Sequence, residues 1–208
     1  MGRCQRVNPA PPLWGLVLAG GRSRRFGADK AAVQAEDGQN LLARSVALLA
    51  PHVAEIRVSI QADQIDDPLR AKFDLLVDET IDGGPAAGLL AAQAFRPDAA
   101  WFVIACDFPA LDAHTLTQLS AARDPGRAAT AFLSPADGLP EPLCAIWEPD
   151  TLAALRRRVV ERQLRSPRSL LMDADVRLVE PDRPGALMNM NRPGQLDSLR
   201  RHNQEHSE

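Results

Sequence analysis

The feature that most constrains this chain is a short apolar segment that runs directly into a pair of glycines. Residues 16–19 are Leu-Val-Leu-Ala, without polar alternation, which is typical of a strand buried on both faces. Gly20 and Gly21 then allow the backbone to turn and to approach a ligand closely. Four cations follow within a few residues: Arg22, Arg24, Arg25 and Lys30. Because exposed N–H groups and positive charge converge in such a loop, the segment predicts a phosphate-binding site.

Two common phosphate-binding loops do not match this segment. A Walker A loop ends in Gly-Lys-Ser/Thr, whereas Lys30 lies between Asp29 and Ala31. The dinucleotide-binding fingerprint needs glycines at its first, third and sixth positions, and the glycines of residues 20–27 do not have that spacing. A surface loop with solvated arginines is the alternative, since most charge clusters are solvated. The buried strand, the glycine pair and the Asp-Lys pair in one compact segment favour the phosphate site.

Residues 18–30 resemble the signature of the molybdenum cofactor guanylyltransferases, the MobA family of nucleotidyltransferases. The shared pattern is Leu-Ala-Gly-Gly-x-Ser-x-Arg-x-Gly-x-Asp-Lys, with Phe26 where the family usually has Met. Relatives that transfer cytidine typically carry Ala-Gly in this turn, so Gly20 favours GTP over CTP. The resemblance extends from Leu16 to about Leu199, with the motifs in the family order.

A second motif follows residues 75–77, whose apolar character predicts a strand with Asp78 at its carboxyl end. Residues 84–88, Gly-Pro-Ala-Ala-Gly, lead into a helix of small residues predicted over residues 89–95, with Pro85 suited to a first helical turn. This arrangement resembles the family segment in which an acidic residue precedes Gly-Pro-x-x-Gly. It implies that Asp78 lies near the guanosine and that the small helix lets the nucleotide pack closely. The alternative is a simple strand-to-helix turn with an exposed Asp78.

The most hydrophobic segment, residues 101–106, predicts a buried strand that ends at Asp107. Open parallel sheets bind ligands at the carboxyl ends of their strands. Residues 106–111 match the family pattern Cys-Asp-x-Pro-x-Leu, which implies that Asp107 binds Mg²⁺. This ion takes hard oxygen ligands and usually one or two carboxylates beside substrate phosphates, so a single Asp is enough. An N-cap role, the alternative for Asp107, belongs more naturally to Asp112, which precedes a predicted helix.

Three later segments also resemble family motifs. Residues 141–147 are similar to a strand beside the acceptor pocket, although a plain core strand with a solvated Glu141 fits the sequence equally well. An arginine-rich helix face around residues 150–165 is typical of a solvated surface, whereas Arg168 matches a family position and implies a contact with an anionic pterin phosphate. Asn189 and Asn191 lie in an Asn-x-Asn-x-Pro motif and imply oxygen donors to a metal or a phosphate. Turn chemistry before a last helix, residues 194–202, is the alternative.

Composition bounds the class of protein. With 208 residues, 45% of them hydrophobic and 25% charged, the sequence suits one globular domain. A formal net charge of -3 argues against nucleic-acid binding, and no apolar run approaches the roughly 20 residues that span a membrane. Cys4, Cys106 and Cys144 are widely separated and lack metal spacing, which favours a reducing cytoplasm. Residues 1–12 are expected to form an extended leader, and residues 13–208 the nucleotidyltransferase domain.

The remaining hydrophobic periodicity predicts alternating strands and helices. Short strands are expected over residues 31–35, 56–60, 128–133 and 176–179, and an amphipathic helix over residues 41–51. Such alternation implies a parallel sheet covered on both faces. The predicted fold is a single three-layer α/β/α Rossmann-like domain with a mostly parallel sheet.

The resemblance implies transfer of GMP from GTP to the terminal phosphate of molybdopterin, with release of pyrophosphate and with Mg²⁺ as cofactor. Arg25, Lys30 and Asp107 are the implied catalytic residues, and Asp107 with Asn191 would hold the metal. The implied acceptor residues are Glu141, Arg168 and Asn189. The implied nucleotide contacts are Leu18, Ala19, Gly20, Gly21, Ser23, Lys30, Asp78, Gly84, Pro85 and Asp107.

The implied partners are GTP, molybdopterin (the molybdenum cofactor) and proteins that deliver the cofactor or use it as molybdoenzymes. Two alternatives stay open. The first is the same enzyme class acting on CTP or on another phosphorylated acceptor. The second is a non-catalytic nucleotide-binding protein on the same scaffold, which would have no need for both Lys30 and Asp107.

Overall fold

A computed structural model describes residues 9–20, 29–35, 38–79, 84–162 and 165–189. Its centre is a sheet of seven strands in the order β3-β2-β1-β4-β6-β5-β7. The strands are β1 (Leu13–Leu18), β2 (Ile56–Ile60), β3 (Leu75–Val77), β4 (Ala100–Ala105), β5 (Ala129–Leu133), β6 (Pro140–Trp147) and β7 (Val176–Val179). Four of the six strand pairs are parallel, and β6 is antiparallel to β4 and to β5. The prediction of a mostly parallel sheet is therefore confirmed.

Helices cover both faces of the sheet. Within the described residues they are α1 (Leu41–Leu49), α2 (Pro85–Phe95), α3 (Ala113–Ala121), α4 (Pro149–Arg162) and α5 (Pro167–Asp173). Leucines of α1 and α3 share a hydrophobic cluster with Val17, and leucines of α2, α4 and α5 share the other cluster with Leu16. Because successive strand residues point to opposite faces, the complete burial of Leu16 and Val17 shows that β1 is covered on both sides. The three-layer α/β/α prediction is confirmed.

The start of two helices bears on the site. Asp112 caps α3, since its carboxylate accepts a hydrogen bond from Thr115 N at 2.8 Å. The cap role thus belongs to Asp112, as expected, and not to Asp107. Pro85 is the first residue of α2, and Gly84 before it has a φ of 54°, a left-handed conformation that favours glycine. The helix begins four residues earlier than residue 89 because Pro85 starts it and alanines, strong helix formers, follow.

The predicted strand over residues 31–35 is wrong. A 3₁₀ helix occupies Lys30–Ala32, and Asp29 caps it by accepting a hydrogen bond from Ala31 N at 3.0 Å. Alanine is depleted in strands, so the capping carboxylate decides the local structure. The helix expected over residues 41–51 is α1 followed by a second 3₁₀ helix, Ala50–His52.

The arginine-rich face of α4 is not simply solvated, which corrects the expectation for Arg156. Its guanidinium donates to Glu79 Oε1 at 2.5 Å, to the carbonyl of Leu90 at 2.6 Å and to Gln93. Arg156 therefore ties α4 to α2 and to the residue that follows Asp78. A run of charges in a sequence identifies a helix surface, but it does not reveal which element packs beside that surface.

The ends of the chain are described only in part. Residues 1–8 of the expected leader and the helix expected over residues 194–202 lie outside the described residues. The carbonyl of Pro12 accepts a hydrogen bond from Ala100 N at 3.0 Å, so the segment that precedes β1 is attached to β4. In the part of the chain that the structure describes, no helix has the length and apolar character of a membrane span.

Gly88 determines how closely α2 packs on the sheet. A Cβ atom at this position would lie 2.3 Å from Ser59 Oγ and 2.7 Å from Leu18 Cδ2, so a side chain cannot fit without movement of its neighbours. The resemblance implies a small helix that leaves room for a nucleotide. That expectation stays a prediction, and Gly88 itself faces side chains of β1 and β2 rather than open space.

We predict that Gly88→Ala lowers the free energy of unfolding by about 1–3 kcal/mol, because overpacking outweighs the gain in helix propensity. Urea denaturation measures the effect. Gly185→Ala is the matched control, since a Cβ atom there meets nothing within 4 Å. The control should stay within about 0.5 kcal/mol of the wild type. Equal unfolding midpoints for the wild type and both variants would contradict the close packing at Gly88.

Candidate functional site

The candidate site lies at the edge of the sheet where four parallel strands end. The pairing register aligns Leu18 of β1 with Ser59 of β2 and with Ala105 of β4, and Ser59 with Leu76 of β3. Two residues beyond these aligned positions, the chain reaches Gly20 after β1, Gln61 after β2, Asp78 after β3 and Asp107 after β4. Backbone hydrogen bonds continue past the strand ends, from Ala19 N to Ser59 O, from Asp78 N to Ile60 O and from Cys106 N to Leu18 O. These four positions therefore form one row, and all of them line the same pocket.

The pocket brings together residues that are distant in the sequence. Its described lining is Leu18, Ala19, Gly20, Asp29, Lys30, Ala31, Ser59, Gln61, Asp78, Gly84, Pro85, Ala105, Cys106, Asp107 and Leu143. This lining contains each predicted nucleotide contact that the structure describes: Leu18, Ala19, Gly20, Lys30, Asp78, Gly84, Pro85 and Asp107. The roles of these residues toward a nucleotide stay predictions. Gly21, Ser23, Arg25 and Asn191 lie outside the described residues.

Gly20 allows the end of β1 to approach the ends of its neighbours. A Cβ atom on Gly20 would lie 3.0 Å from Asp78 Oδ2 and 3.1 Å from Gln61 N, tighter than ordinary van der Waals contact. In the sequence, Gly20 favours GTP over CTP by resemblance to the family. The structure adds a second reason for glycine, which is the space that the Asp78 carboxylate occupies.

Lys30 and Asp107 form an ion pair across the pocket, with 3.2 Å between Lys30 Nζ and Asp107 Oδ2. The two residues are 77 positions apart, so the fold alone brings them together. Both side chains are mostly buried, at 15% and 27% exposure, which weakens solvent screening of their attraction. The second oxygen, Asp107 Oδ1, is buried and has no hydrogen-bond partner among the described residues. This atom is an unsatisfied acceptor in the pocket.

Asp78 is held by a neighbouring strand and sits in an apolar environment. Ser59 Oγ donates a hydrogen bond to Asp78 Oδ1 at 2.5 Å. Burial raises the pKa of Asp78 to about 6, although the Ser59 hydrogen bond acts in the opposite direction. Asp78 is thus not freely solvated, and the alternative of an exposed turn residue is wrong. Sequence reasoning missed Ser59 because a serine inside an apolar strand carries no motif.

Arg70 is the second residue that sequence reasoning missed. Its side chain is completely buried and binds both oxygens of Asp29, at 2.7 and 2.9 Å, together with the carbonyl of Ala19 at 3.0 Å. Asp67 Oδ2 accepts a further hydrogen bond from Arg70 Nη1 at 2.6 Å. Ala19 and Asp29 both line the pocket, so Arg70 supports its wall from behind. A lone Arg in a polar stretch gives no sequence signal for such a position.

The residues predicted to bind the acceptor partly come together. Arg168 donates to Glu141 Oε2 at 3.0 Å and to Asp137 Oδ2 at 2.7 Å. Glu141 is 4% exposed, so the alternative of a solvated Glu141 is wrong. Burial raises the pKa of Glu141, and the nearby Asp107 acts in the same direction while Arg168 opposes it. Asn189 is exposed and is not part of the described pocket lining.

The buried cysteines are unsuited to nucleophilic chemistry. Cys106 precedes Asp107, and burial, with a smaller effect of Asp107, raises the pKa of its thiol to about 12. Cys144 is also buried and free. Neutral thiols are poor nucleophiles and poor metal ligands, so the reactive groups of this edge are its carboxylates and its lysine.

Lys30 and Asp107 at the carboxyl edge of a mostly parallel α/β sheet fit the class of nucleotidyltransferases, and comparison with known proteins identifies the family. Residues 15–178 match the model of the MobA-like NTP transferase domain. The chain therefore belongs to that family, as the sequence predicts.

Individual relatives support this membership. The chain is 36% identical over 201 residues to a probable molybdenum cofactor guanylyltransferase of Opitutus terrae, covering 92% of this chain and 96% of that protein. It is 32% identical over 182 residues to the molybdenum cofactor biosynthesis bifunctional protein of Synechocystis sp., covering 88% of this chain and 52% of that protein. The chain thus spans about half the length of the bifunctional relative. The molybdopterin-guanine dinucleotide biosynthesis protein A of Archaeoglobus fulgidus has the same fold, with a TM-score of 0.74 at 21% identity over 92% of this chain and 99% of that chain.

The pKa of Asp78 predicts a pH-dependent stability. A carboxyl group whose pKa is higher in the folded than in the unfolded protein stabilises the fold at low pH. That contribution is lost as the pH rises through about 6. We predict that Asp78→Asn, which keeps an oxygen to accept from Ser59, becomes more stable relative to the wild type as the pH rises from about 5 to about 7.5. Thermal denaturation of both proteins at the two pH values measures this difference. A difference that does not change with pH would contradict the raised pKa.

Proposed function

We propose that this protein transfers GMP from GTP to molybdopterin and releases pyrophosphate. The observation that carries the proposal is the Lys30–Asp107 pair in a pocket that gathers every described nucleotide contact expected from the sequence. The relative from Opitutus terrae, similar over almost its whole length, supports the choice of substrates. Shared membership of the MobA-like NTP transferase domain family supports the reaction type.

The donor set fits a magnesium ion that is bound jointly by protein and substrate. Asp107 Oδ1 is a hard oxygen without a hydrogen-bond partner among the described residues, and Mg²⁺ usually takes one or two carboxylates beside substrate phosphates. No group of three or more His, Cys, Asp and Glu side chains suited to a metal exists among the described residues. Asp107 would therefore hold the ion with phosphate oxygens, and with Asn191 as the sequence motif implies. When bound, the metal would supply charge neutralisation at the triphosphate.

The reaction needs positioning and charge more than covalent chemistry. The acceptor phosphate attacks the α-phosphorus of GTP, the bond to the β-phosphate oxygen breaks, and pyrophosphate leaves opposite the attacking oxygen. Lys30, fixed at the pocket wall, offers an ammonium group for the negative charge that builds up on the leaving group. Arg25 is proposed for the same task on the basis of the sequence motif. No buried nucleophile is needed, in keeping with the neutral Cys106 thiol.

Asp78 suits recognition of guanine. The Watson–Crick edge of guanine presents two adjacent N–H donor sites, whereas cytosine presents an acceptor between its amino group and its carbonyl. A carboxylate accepts and does not donate, so it pairs with the guanine edge and repels the acceptor of cytosine. Ser59 already donates to Oδ1 of Asp78. The other carboxylate oxygen, Oδ2, lies beside Gly20 in the pocket wall.

Arg168 is proposed as the contact for the acceptor phosphate. Its guanidinium is held by Glu141 and Asp137. Two carboxylates fix the direction of the guanidinium while donors remain for an anion, since the group carries five N–H donors. Asn189 keeps its proposed acceptor role from the sequence motif.

Location in the cytoplasm, expected from the cysteines, is supported by the free buried thiols of Cys106 and Cys144.

The first test of the proposal is Asp107→Asn, assayed by pyrophosphate release from GTP with molybdopterin and Mg²⁺. We predict that kcat falls by about two to three orders of magnitude, as happens when a charged group that stabilises the transition state is lost. Asp112→Asn is the matched control, because asparagine also caps helices and the residue lies outside the described pocket lining. The control should stay within about twofold of the wild type. Turnover by Asp107→Asn at the wild-type rate would remove Asp107 from the mechanism.

The second test concerns the base. Gly20→Ala places a methyl group 3.0 Å from Asp78 Oδ2, so the carboxylate must shift. We predict that the affinity for GTP falls by about tenfold or more, a loss expected when a hydrogen bond to a charged group is broken, and that the affinity for CTP changes less. Calorimetric titration with both nucleotides measures this, with Gly185→Ala as the control. Equal binding of GTP and CTP by the wild type would reject guanine recognition and favour the alternative of a nucleotidyltransferase with another nucleotide.

A further inference from the structure

We infer that Arg70 is a positioning residue for Lys30. The guanidinium holds the Asp29 carboxylate and the Ala19 carbonyl, and through Asp29 it fixes where the Lys30 ammonium stands opposite Asp107. The kinetic part of this inference rests on the proposed function, whereas its structural part does not.

The contacts of Arg70 have the geometry of a clamp. Nη1 lies 2.7 Å from Asp29 Oδ2 and Nη2 lies 2.9 Å from Asp29 Oδ1, a bidentate pairing in which two parallel hydrogen bonds fix the orientation of the carboxylate. Nη2 also donates to the carbonyl of Ala19 at 3.0 Å. The completely buried Arg70 side chain therefore joins Ala19, which follows β1, to Asp29, which precedes Lys30.

Asp29 transmits this orientation to Lys30. Oδ1 of Asp29 accepts both from Arg70 and from Ala31 N, at 3.0 Å, and the second bond caps the 3₁₀ helix Lys30–Ala32. The backbone on both sides of Lys30 is thus tied to a carboxylate whose orientation Arg70 fixes. A lysine has a flexible four-carbon stem, so fixing its backbone limits the positions that its ammonium can reach. The ammonium reaches Asp107 Oδ2 at 3.2 Å.

A purely structural ion pair is the alternative, and energetics argue against it. Burying a guanidinium costs several kcal/mol, and apolar residues of similar volume often replace buried ion pairs without loss of stability. A hydrophobic side chain at position 70 would fill the space but would hold neither the Ala19 carbonyl nor the Asp29 carboxylate. The geometry that needs an arginine is therefore the geometry of the pocket wall.

Asp67 provides an internal control for this distinction. Its Oδ2 accepts from the same Nη1 atom at 2.6 Å, but Asp67 lies outside the described pocket lining. Asp29→Asn and Asp67→Asn are chemically identical changes that each remove one charged partner of Arg70. In both variants the side-chain oxygen can still accept the backbone hydrogen bond that Asp29 takes from Ala31 and that Asp67 takes from Leu69.

The kinetic experiment compares Asp29→Asn, Arg70→Lys and Asp67→Asn in the pyrophosphate-release assay. Misplacement of a catalytic group by even 1 Å is costly, so we expect kcat to fall by about tenfold to a hundredfold in Asp29→Asn and in Arg70→Lys, where lysine keeps the charge without the fork. Asp67→Asn should stay within about twofold. A loss of activity in Asp29→Asn is diagnostic, because a purely electrostatic effect would act in the opposite direction. Removing a negative charge beside a triphosphate would by itself strengthen nucleotide binding. Wild-type kcat in Asp29→Asn, or an equal loss in Asp67→Asn, would overturn the inference.

A second experiment needs no turnover. The sequence contains two lysines, Lys30 and Lys72, and Lys72 is exposed, so it serves as an internal reference. Brief acetylation followed by peptide mass spectrometry gives the ratio of labelling at Lys30 to labelling at Lys72. We expect this ratio to rise by about fivefold or more in Asp29→Asn and to stay at the wild-type value in Asp67→Asn, since only the first change releases Lys30.

The two experiments separate the inference from the proposed function. A wild type that releases no pyrophosphate from GTP would overturn the proposed function, and the labelling ratio would still decide the role of Arg70. An unchanged ratio in Asp29→Asn would overturn that role. A rise of the same size in Asp67→Asn would also overturn it, because it would show a general loosening of the fold around Arg70.

Discussion

The parallel pairing of β1 with both of its neighbours is the constraint on which this protein depends. Parallel strands end at the same edge, so the register that aligns Leu18, Ser59 and Ala105 also aligns the residues just beyond them. Hydrophobic burial on both faces fixes that register, because a shift by one residue would exchange Leu16 and Val17 between the two cores. The positions of the polar residues at the edge are therefore set by apolar side chains that never reach the pocket.

At the edge itself, charged side chains of the candidate site are oriented by other side chains. Ser59 holds Asp78, Arg70 holds Asp29, Lys30 faces Asp107, and Arg168 holds Glu141. Such buried pairs contribute little net stability, because desolvation offsets their attraction. Their physical benefit is that charged groups already point in fixed directions, so little reorganisation is needed when ligands bind. The charged pairs thus orient side chains without adding much stability, and the apolar clusters on both faces of the sheet stabilise the fold.

The sequence predicts strands and their ends well, because an apolar run followed by a polar residue is a local signal. Asp78 and Asp107 were found in this way, and the parallel topology then places them in one row. Ser59 and Arg70 were missed because their roles arise from contacts across 19 and 41 positions, for which a single sequence has no local pattern. The prediction of a strand over residues 31–35 was wrong for a local reason, since the helix cap at Asp29 outweighs the weak strand propensity of these residues. The expectation of a solvated Arg156 was wrong because its partners lie on α2 and directly after Asp78.

A pocket proposed for a triphosphate is lined or flanked by four carboxylates, and the structure explains how an anion can be accommodated. Asp29 is paired with Arg70, Glu141 with Arg168 and Asp107 with Lys30, while burial keeps Asp78 partly protonated near pH 6. Three of the four acids therefore already face a cation of the protein. Lys30 can pair either with an acid of the protein or with an anionic ligand, because its ammonium can balance either Asp107 or a phosphate oxygen. In the proposed reaction, a ligand of the opposite charge would take over one partner of this pair. The contact of Arg70 with Asp29 would keep Lys30 within reach after that exchange.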